Sequence, residues 1–153
     1  MGYRIEGLRS EAFAPLFGLS DSALAERGAV RVVADSETGY PCRVGLDHVR
    51  PGETAILLNH VSNDVDGPFR TAHAIYVREG ADEVPVLEDR LPPVLQGRML
   101  SLRGFDSAGM LRSALLTQDV EAGIESLFAD PRVASIHAHT AAYGCFLARV
   151  GRA

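Results

Sequence analysis

The triplet His137-Ala138-His139 is the chain's most specific local signal for chemistry. On a strand, side chains alternate, so imidazoles at this spacing share a face about 7 Å apart. Two neutral imidazoles so placed can chelate one metal ion at about 2.0–2.1 Å each. A third ligand would come from His60, His73, Cys42, Cys145 or an acid. No HExxH motif is present, and the carboxylate-and-glycine continuation of a cupin is missing. A two-histidine motif alone is weak, so a hydrogen-bonded pair of strand histidines is preferred over a metal site. His73 shares a face with Ile75 and Val77 and reads as a satisfied core histidine.

Cys145 is the candidate nucleophile beside this pair, and loop parity decides its role. If His139 pairs with Gly144, Cys145 falls with Ile136 and Ala138 on the opposite face, as an inert core thiol. If His139 pairs with Tyr143, Cys145 shares the face of His137, where a thiolate beside an imidazole could ligate or attack. The core reading is preferred, because free cysteine is among the most buried residue types.

Arginines form the third group. Arg43 follows Pro41-Cys42, Arg70 precedes Thr71-Ala72-His73, and Arg78, Arg98 and Arg103 lie in or beside strands. Convergence of Arg43, Arg70 and Arg103 would make an anion pocket for phosphate or carboxylate, with Arg78 a further candidate. His137 or His139 would then act as acid or base near neutral pH. The competing reading is a set of structural ion pairs with Asp47, Glu53, Asp106 and neighbours. With 20 acidic residues available, that reading stands slightly ahead.

Composition narrows the remaining chemistry. All 15 basic residues are arginine, so neither a Schiff-base lysine nor a P-loop lysine exists. No GxSxG elbow, GxGxxG loop or Walker motif occurs, and no paired acids stand at a telling spacing. A net charge of −5 disfavours general nucleic-acid binding. The start MGYRIEGL carries no basic-then-apolar leader, and Glu6 breaks the myristoylation pattern. No apolar run approaches the ~18 residues of a membrane helix. The expected compartment is the cytoplasm, with Cys42 and Cys145 as thiols.

The elements that must position these groups follow from periodicity and turn residues. A length of 153 residues with 46% apolar content suits one domain with its own core. Short strands are expected at YRIEGL, at 29–34 and at 42–46, with a helical turn at 11–16. Ser20 should cap a helix that Gly28 stops. TAILLNHV reads as a buried strand and SNDVDGPF as a loop. Residues 71–79 form the clearest middle strand, and 80–96 an irregular crossover. Segments 98–105 and 110–117 form a strand pair. Asp119 caps the best helix, whose Val120, Ile124, Leu127 and Phe128 share one face and which Asp130-Pro131 ends. Segments 133–139 and 144–150 make a closing hairpin. The expected class is α+β, a mainly antiparallel sheet with two or three helices.

YPCRVGL, PGETAILLNH, PFRTAHAIYVREGA, GRMLSLRGFDSAGM and IHAHTAAYGCFLARVGR, in that order, resemble the bacterial family catalogued as domain of unknown function 1203. The resemblance runs from about Phe17 to Arg152. It implies a single domain over residues 1–153 and brings no catalytic residues to carry over. Cys42, Arg43, Arg70, Arg78, Arg103, His137, His139 and Cys145 match its pattern; His60 carries less weight.

The leading functional expectation is a pocket or enzyme site for an anionic small molecule, built from these arginines and histidines. A non-catalytic interaction module, as a homodimer using an apolar patch on the C-terminal hairpin, comes second. A metal protein using His137 and His139 comes third. No cofactor is implied.

Overall fold

The computed structural model describes residues 2–153, so of the opening MGYRIEGL only Met1 lies outside it. Nine strands form two antiparallel sheets. The larger holds six, in the order β5 (Val86–Glu88), β1 (Tyr3–Glu6), β9 (Phe146–Arg152), β8 (Ser135–Thr140), β6 (Leu100–Phe105), β7 (Leu111–Thr117). The smaller holds β2 (Val30–Val33), β3 (Thr54–Asn63) and β4 (Thr71–Arg78). Two α-helices, α1 (Asp21–Glu26) and α2 (Val120–Phe128), and three 3-10 turns complete the described residues. This is a mainly antiparallel α+β arrangement.

Both helix starts obey their caps. Ser20 Oγ accepts from Ala23 N at 3.2 Å and Asp119 Oδ1 from Ala122 N at 3.2 Å, which satisfies donors that a first helical turn leaves unpaired. Gly28, at φ 70°, closes α1 in the left-handed conformation. The buried stripe of α2, Val120, Ile124, Leu127 and Phe128, packs on one face of the large sheet. That face presents Leu100, Leu102, Ile136, Ala138 and Val150. Burying a Leu, Ile or Phe contributes roughly 1.5–3 kcal/mol, so this layer carries much of the stability. A Cβ on Gly123 would stand 2.7 Å from Leu102 Cδ1, which shows how closely helix and sheet approach.

Alternation sends the intervening residues to the other face of the large sheet. Arg103 pairs with His137, Ser101 with His139 and His137 with Arg149. The large sheet is therefore apolar toward α2 and polar on its second face. The small sheet brings its own apolar cluster, with Cys42, Val44, Ala55, Ile75 and Val77 buried, and meets that polar face through β4 and β9.

Three expectations need correction and one needs refinement. Residues 42–46 form no strand; they fold as a tight turn, closed by an isolated bridge between Pro41 and His48 and tied to β4 by one between Cys42 and Tyr76. Their apolar character has another cause. Val44 is buried in the cluster beside the small sheet and Leu46 in the core under α2, so the turn plugs both. The crossover 80–96 is largely irregular, yet Val86–Glu88 adds to β1 as an edge strand. Ser62 and Asn63 extend β3 instead of starting a loop. Finally, the closing hairpin adopts neither foreseen register. His139 pairs with Phe146 across a bulge at Ala138/His139, and one inserted residue reverses the parity on which a face assignment depends.

Candidate functional site

The polar face of the large sheet and the end of the small sheet enclose a layer of histidines. His137 and His139 project from β8, and His60 and His73 sit directly opposite each other on β3 and β4. The rings of His73 and His139 meet edge-on at 4.8 Å, and those of His137 and His139 lie 6.5 Å apart. Phe146 packs edge-on against both, at 5.6 and 5.8 Å. His139 Nδ1 donates to Gly144 O at 2.8 Å, and His73 Nδ1 lies 3.3 Å from Ser62 Oγ. His73 is half-buried at the edge of this layer, outside the apolar core it was expected to join. His137 Nδ1 is buried and finds no partner.

Burial pushes these imidazoles down, to about 4 for His137 and about 3 for His139, and nearby arginines push the same way. His60 and His73 are lowered by the same cause. At neutral pH the layer is uncharged and resists taking up protons, which counts against the acid–base role near neutral pH expected of His137 and His139. Among the described residues no group of three His, Cys, Asp or Glu is placed to hold a metal ion. His60 and His73, expected as possible third ligands, come near the pair but not in a metal-holding arrangement.

The arginines divide by partner. Arg31, Arg43, Arg78, Arg98 and Arg103 are the ones drawn back from solvent. Arg31 is paired with Asp21 and Glu79, and Arg78 with Asp47 and Glu53. Arg70 does not converge with Arg43 and Arg103; it lies exposed in an ion pair with Asp64. Arg43, Arg98 and Arg103 have no acidic partner among the described residues. Arg98 Nη2 donates to Thr38 O at 3.1 Å and Arg103 Nε to Ser101 Oγ at 3.2 Å. Burial lowers the Arg103 guanidinium.

Arg43 is the extreme case. It is 3% exposed. Its Nε donates to Phe146 O at 2.7 Å and its Nη1 to Pro41 O at 2.6 Å. Burial pushes its pKa down to about 10, with Arg98 pushing the same way, so it stays charged at neutral pH. It stands between the histidines and a cleft of about 440 Å³ lined by Arg43, Arg98, Leu57, Ala74, Tyr76, Thr140, Tyr143 and Cys145. An adjoining hollow shares Thr38, Arg98 and Thr140 and reaches His48, whose Nδ1 is buried without a partner. A larger hollow of about 540 Å³ elsewhere is lined by Asp47, Asp82 and Glu83 beside Arg78. Its acids and its neutralised arginine make it a poor match for an anion.

Cys145 lies in the turn of the hairpin, off the sheet. It is half-buried and lines the cleft, whereas Cys42 is fully buried. The preferred core reading therefore fits Cys42 and not Cys145, and the bulge is the reason. Thr38, His48, Thr140 and Tyr143 were not among the expected site residues. Each is an isolated polar residue in a loop or at a strand end, without a spacing that would mark it.

These features define an antiparallel α+β protein whose sheets close over a cationic cleft backed by neutral histidines. The chain belongs to the family described as protein of unknown function, DUF1203, whose profile matches residues 39–152. That span takes in Arg43, Arg98, Arg103, both strand histidines and Cys145. No curated protein and no solved structure matches the chain. No helix among the described residues is long and apolar enough to cross a membrane.

Proposed function

We propose that this protein binds, or acts on, a small anionic molecule with an apolar body in the cleft between Arg43 and Cys145. The observation that carries this reading is Arg43, a buried charge in a chain of net charge −5 that is given no acidic partner. Desolvating an ion costs several kcal/mol, and two carbonyl dipoles offset only part of that. Arg31 and Arg78 indicate that the fold pairs withdrawn arginines elsewhere. A bound carboxylate or phosphate would complete Arg43 through charge-assisted hydrogen bonds. Leu57, Ala74 and the ring of Tyr76 offer an apolar wall for the rest of the ligand, with the exposed Tyr143 beside them.

Thermal unfolding with acetate, benzoate, inorganic phosphate and phenyl phosphate tests the reading. A ligand at a hundred times its Kd adds about 2.7 kcal/mol, worth roughly 5–10 °C in a chain of this size. Benzoate and phenyl phosphate should stabilise more than acetate and inorganic phosphate. Arg98→Met should abolish the shift and Arg70→Ala should keep it. No shift with any of the four would end the proposal.

The C-terminal hairpin does not carry the apolar patch expected of an interaction module, since Tyr143 is its one exposed large apolar residue. The alternative has instead Val30 and Val33, more than half exposed on edge strand β2, and Leu116 on edge strand β7. Apolar residues exposed singly are ordinary on a protein surface, so these weigh less than a buried unpaired charge.

A further inference from the structure

We propose that Cys145 is a nucleophile of the cleft, attacking the electrophilic carbon of a small carboxylate whose anionic group is held by Arg43 and Arg98. The proposal rests on the anion reading above and adds a covalent step to it. Three observations carry it beyond the presence of a thiol.

The first is position. Cys145 and both arginines line the same cleft, and its half-buried thiol is accessible where Cys42 is sealed in the core. The second is rigidity. Cys145 N donates to Thr140 Oγ1 at 2.9 Å, and Cys145 O accepts from Thr140 N at 2.9 Å. Gly144 takes φ 73°, and its carbonyl is held by His139 Nδ1. The backbone carrying the sulfur is thus fixed on both sides, as a reacting group requires. The third is Arg43, which is 3% exposed, and whose Nη2 has no hydrogen-bond partner among the described residues while Nε and Nη1 are committed to carbonyls. A free donor on a buried cation at the wall of the cleft fits a carboxylate oxygen.

The step is addition. The Cys145 thiolate, its proton released to solvent, donates a lone pair to an aldehyde or ketone carbon of the bound carboxylate. The C–S bond forms, the carbonyl π pair moves to oxygen, and water protonates that oxygen. The product is a hemithioacetal or hemithioketal, with no net oxidation. The same geometry attacks a haloacetate, where the C–S bond forms as the carbon–halogen bond breaks and halide leaves with the pair.

Iodoacetate and iodoacetamide separate charge recognition from plain thiol reactivity, because they deliver the same carbon with and without a carboxylate. Alkylation of the whole protein at neutral pH is followed by mass spectrometry, with peptide mapping and a Cys145→Ser variant to assign the site. The expected result is that Cys145 reacts about tenfold or more faster with iodoacetate, the effect of one charge-assisted contact. Benzoate should slow the iodoacetate reaction in the unmodified protein, and Arg98→Met should remove the preference. An equal or faster reaction with iodoacetamide, unaffected by benzoate, would overturn the proposal. If benzoate still raises the unfolding temperature in that case, the anion reading stands and only the nucleophile fails. If benzoate neither stabilises nor protects, both fall.

Discussion

Lowering the pH from 7 to 5 should remove about 4 kcal/mol of stability from this protein, with its carboxylates adding little over that range. The sign follows from the histidine layer. His137 and His139 are held neutral, with folded pKa values of about 4 and about 3 against 6.5 in the unfolded chain. For a base with a depressed folded pKa, the unfolded state binds the proton first. The associated stability is complete above pH 6.5 and is lost as the pH falls toward the folded values. At pH 5 each histidine has lost about 2 kcal/mol, from 1.36 kcal/mol per unit. By pH 4 the two together remove roughly 6 kcal/mol or more, comparable with the ~5–15 kcal/mol that holds a domain folded. His48, His60 and His73 are lowered too and push in the same direction. Glu79, held at about 2 chiefly by its hydrogen bonds from Arg31, adds to the loss only below its ordinary 4.5. Urea midpoints at pH 7 and pH 5 measure the effect. The His137→Phe variant, whose ring would sit among Phe105 and Phe146, should show roughly half the dependence. Equal midpoints at the two pH values would show that the imidazoles are not buried as neutral groups.

Gly7→Ala should be the most damaging single methyl in the molecule. A Cβ at Gly7 would stand 1.9 Å from Val44 O, a backbone atom that no side-chain rotation can move away. The adjoining bond from Leu8 N to Arg43 O, at 2.9 Å, fixes the two segments together. Accommodation requires the whole turn 42–46 to shift, at a cost of at least about 3 kcal/mol, the upper end of overpacking. That turn carries Arg43 and plugs both apolar clusters, so one substitution joins stability to the site. Any folded Gly7→Ala protein should also lose its response to benzoate. A change in urea midpoint corresponding to under 1 kcal/mol would show that the turn is more yielding than its packing implies.

Both outcomes depend on contacts that the sequence does not display. Local rules located the elements well where one rule governs. Ser20, Gly28, Asp119 and the alternation of β4 did so, because capping, glycine conformation and pleat are short-range. The failures arise where distant parts decide. The turn 42–46 looks like a strand because it is apolar, and it is apolar because two cores converge on it. Cys145 left the sheet because a bulge between Ala138 and His139 changed the register, and nothing in HAHTAAYGC marks a bulge. The arginines were legible as a group, but their pairing was not. Arg70 and Arg78 find acids, while Arg43, Arg98 and Arg103 do not, and only the fold distinguishes them. His137 and His139 share a face as their spacing requires. That their neighbours would include His60 and His73 follows from sheet packing alone.

The central claim, an anion held by Arg43 and Arg98, is tested most directly at the guanidinium groups themselves. Arginine Nε–H resonances, assigned with Arg43→Met and Arg98→Met variants, can be followed by NMR during titration with benzoate. The expected result is saturable movement of the Arg43 and Arg98 signals with a common Kd, while those of Arg70 and Arg78 stay in place. Small, non-saturating shifts shared by all the arginines, with Arg43 unmoved, would contradict it.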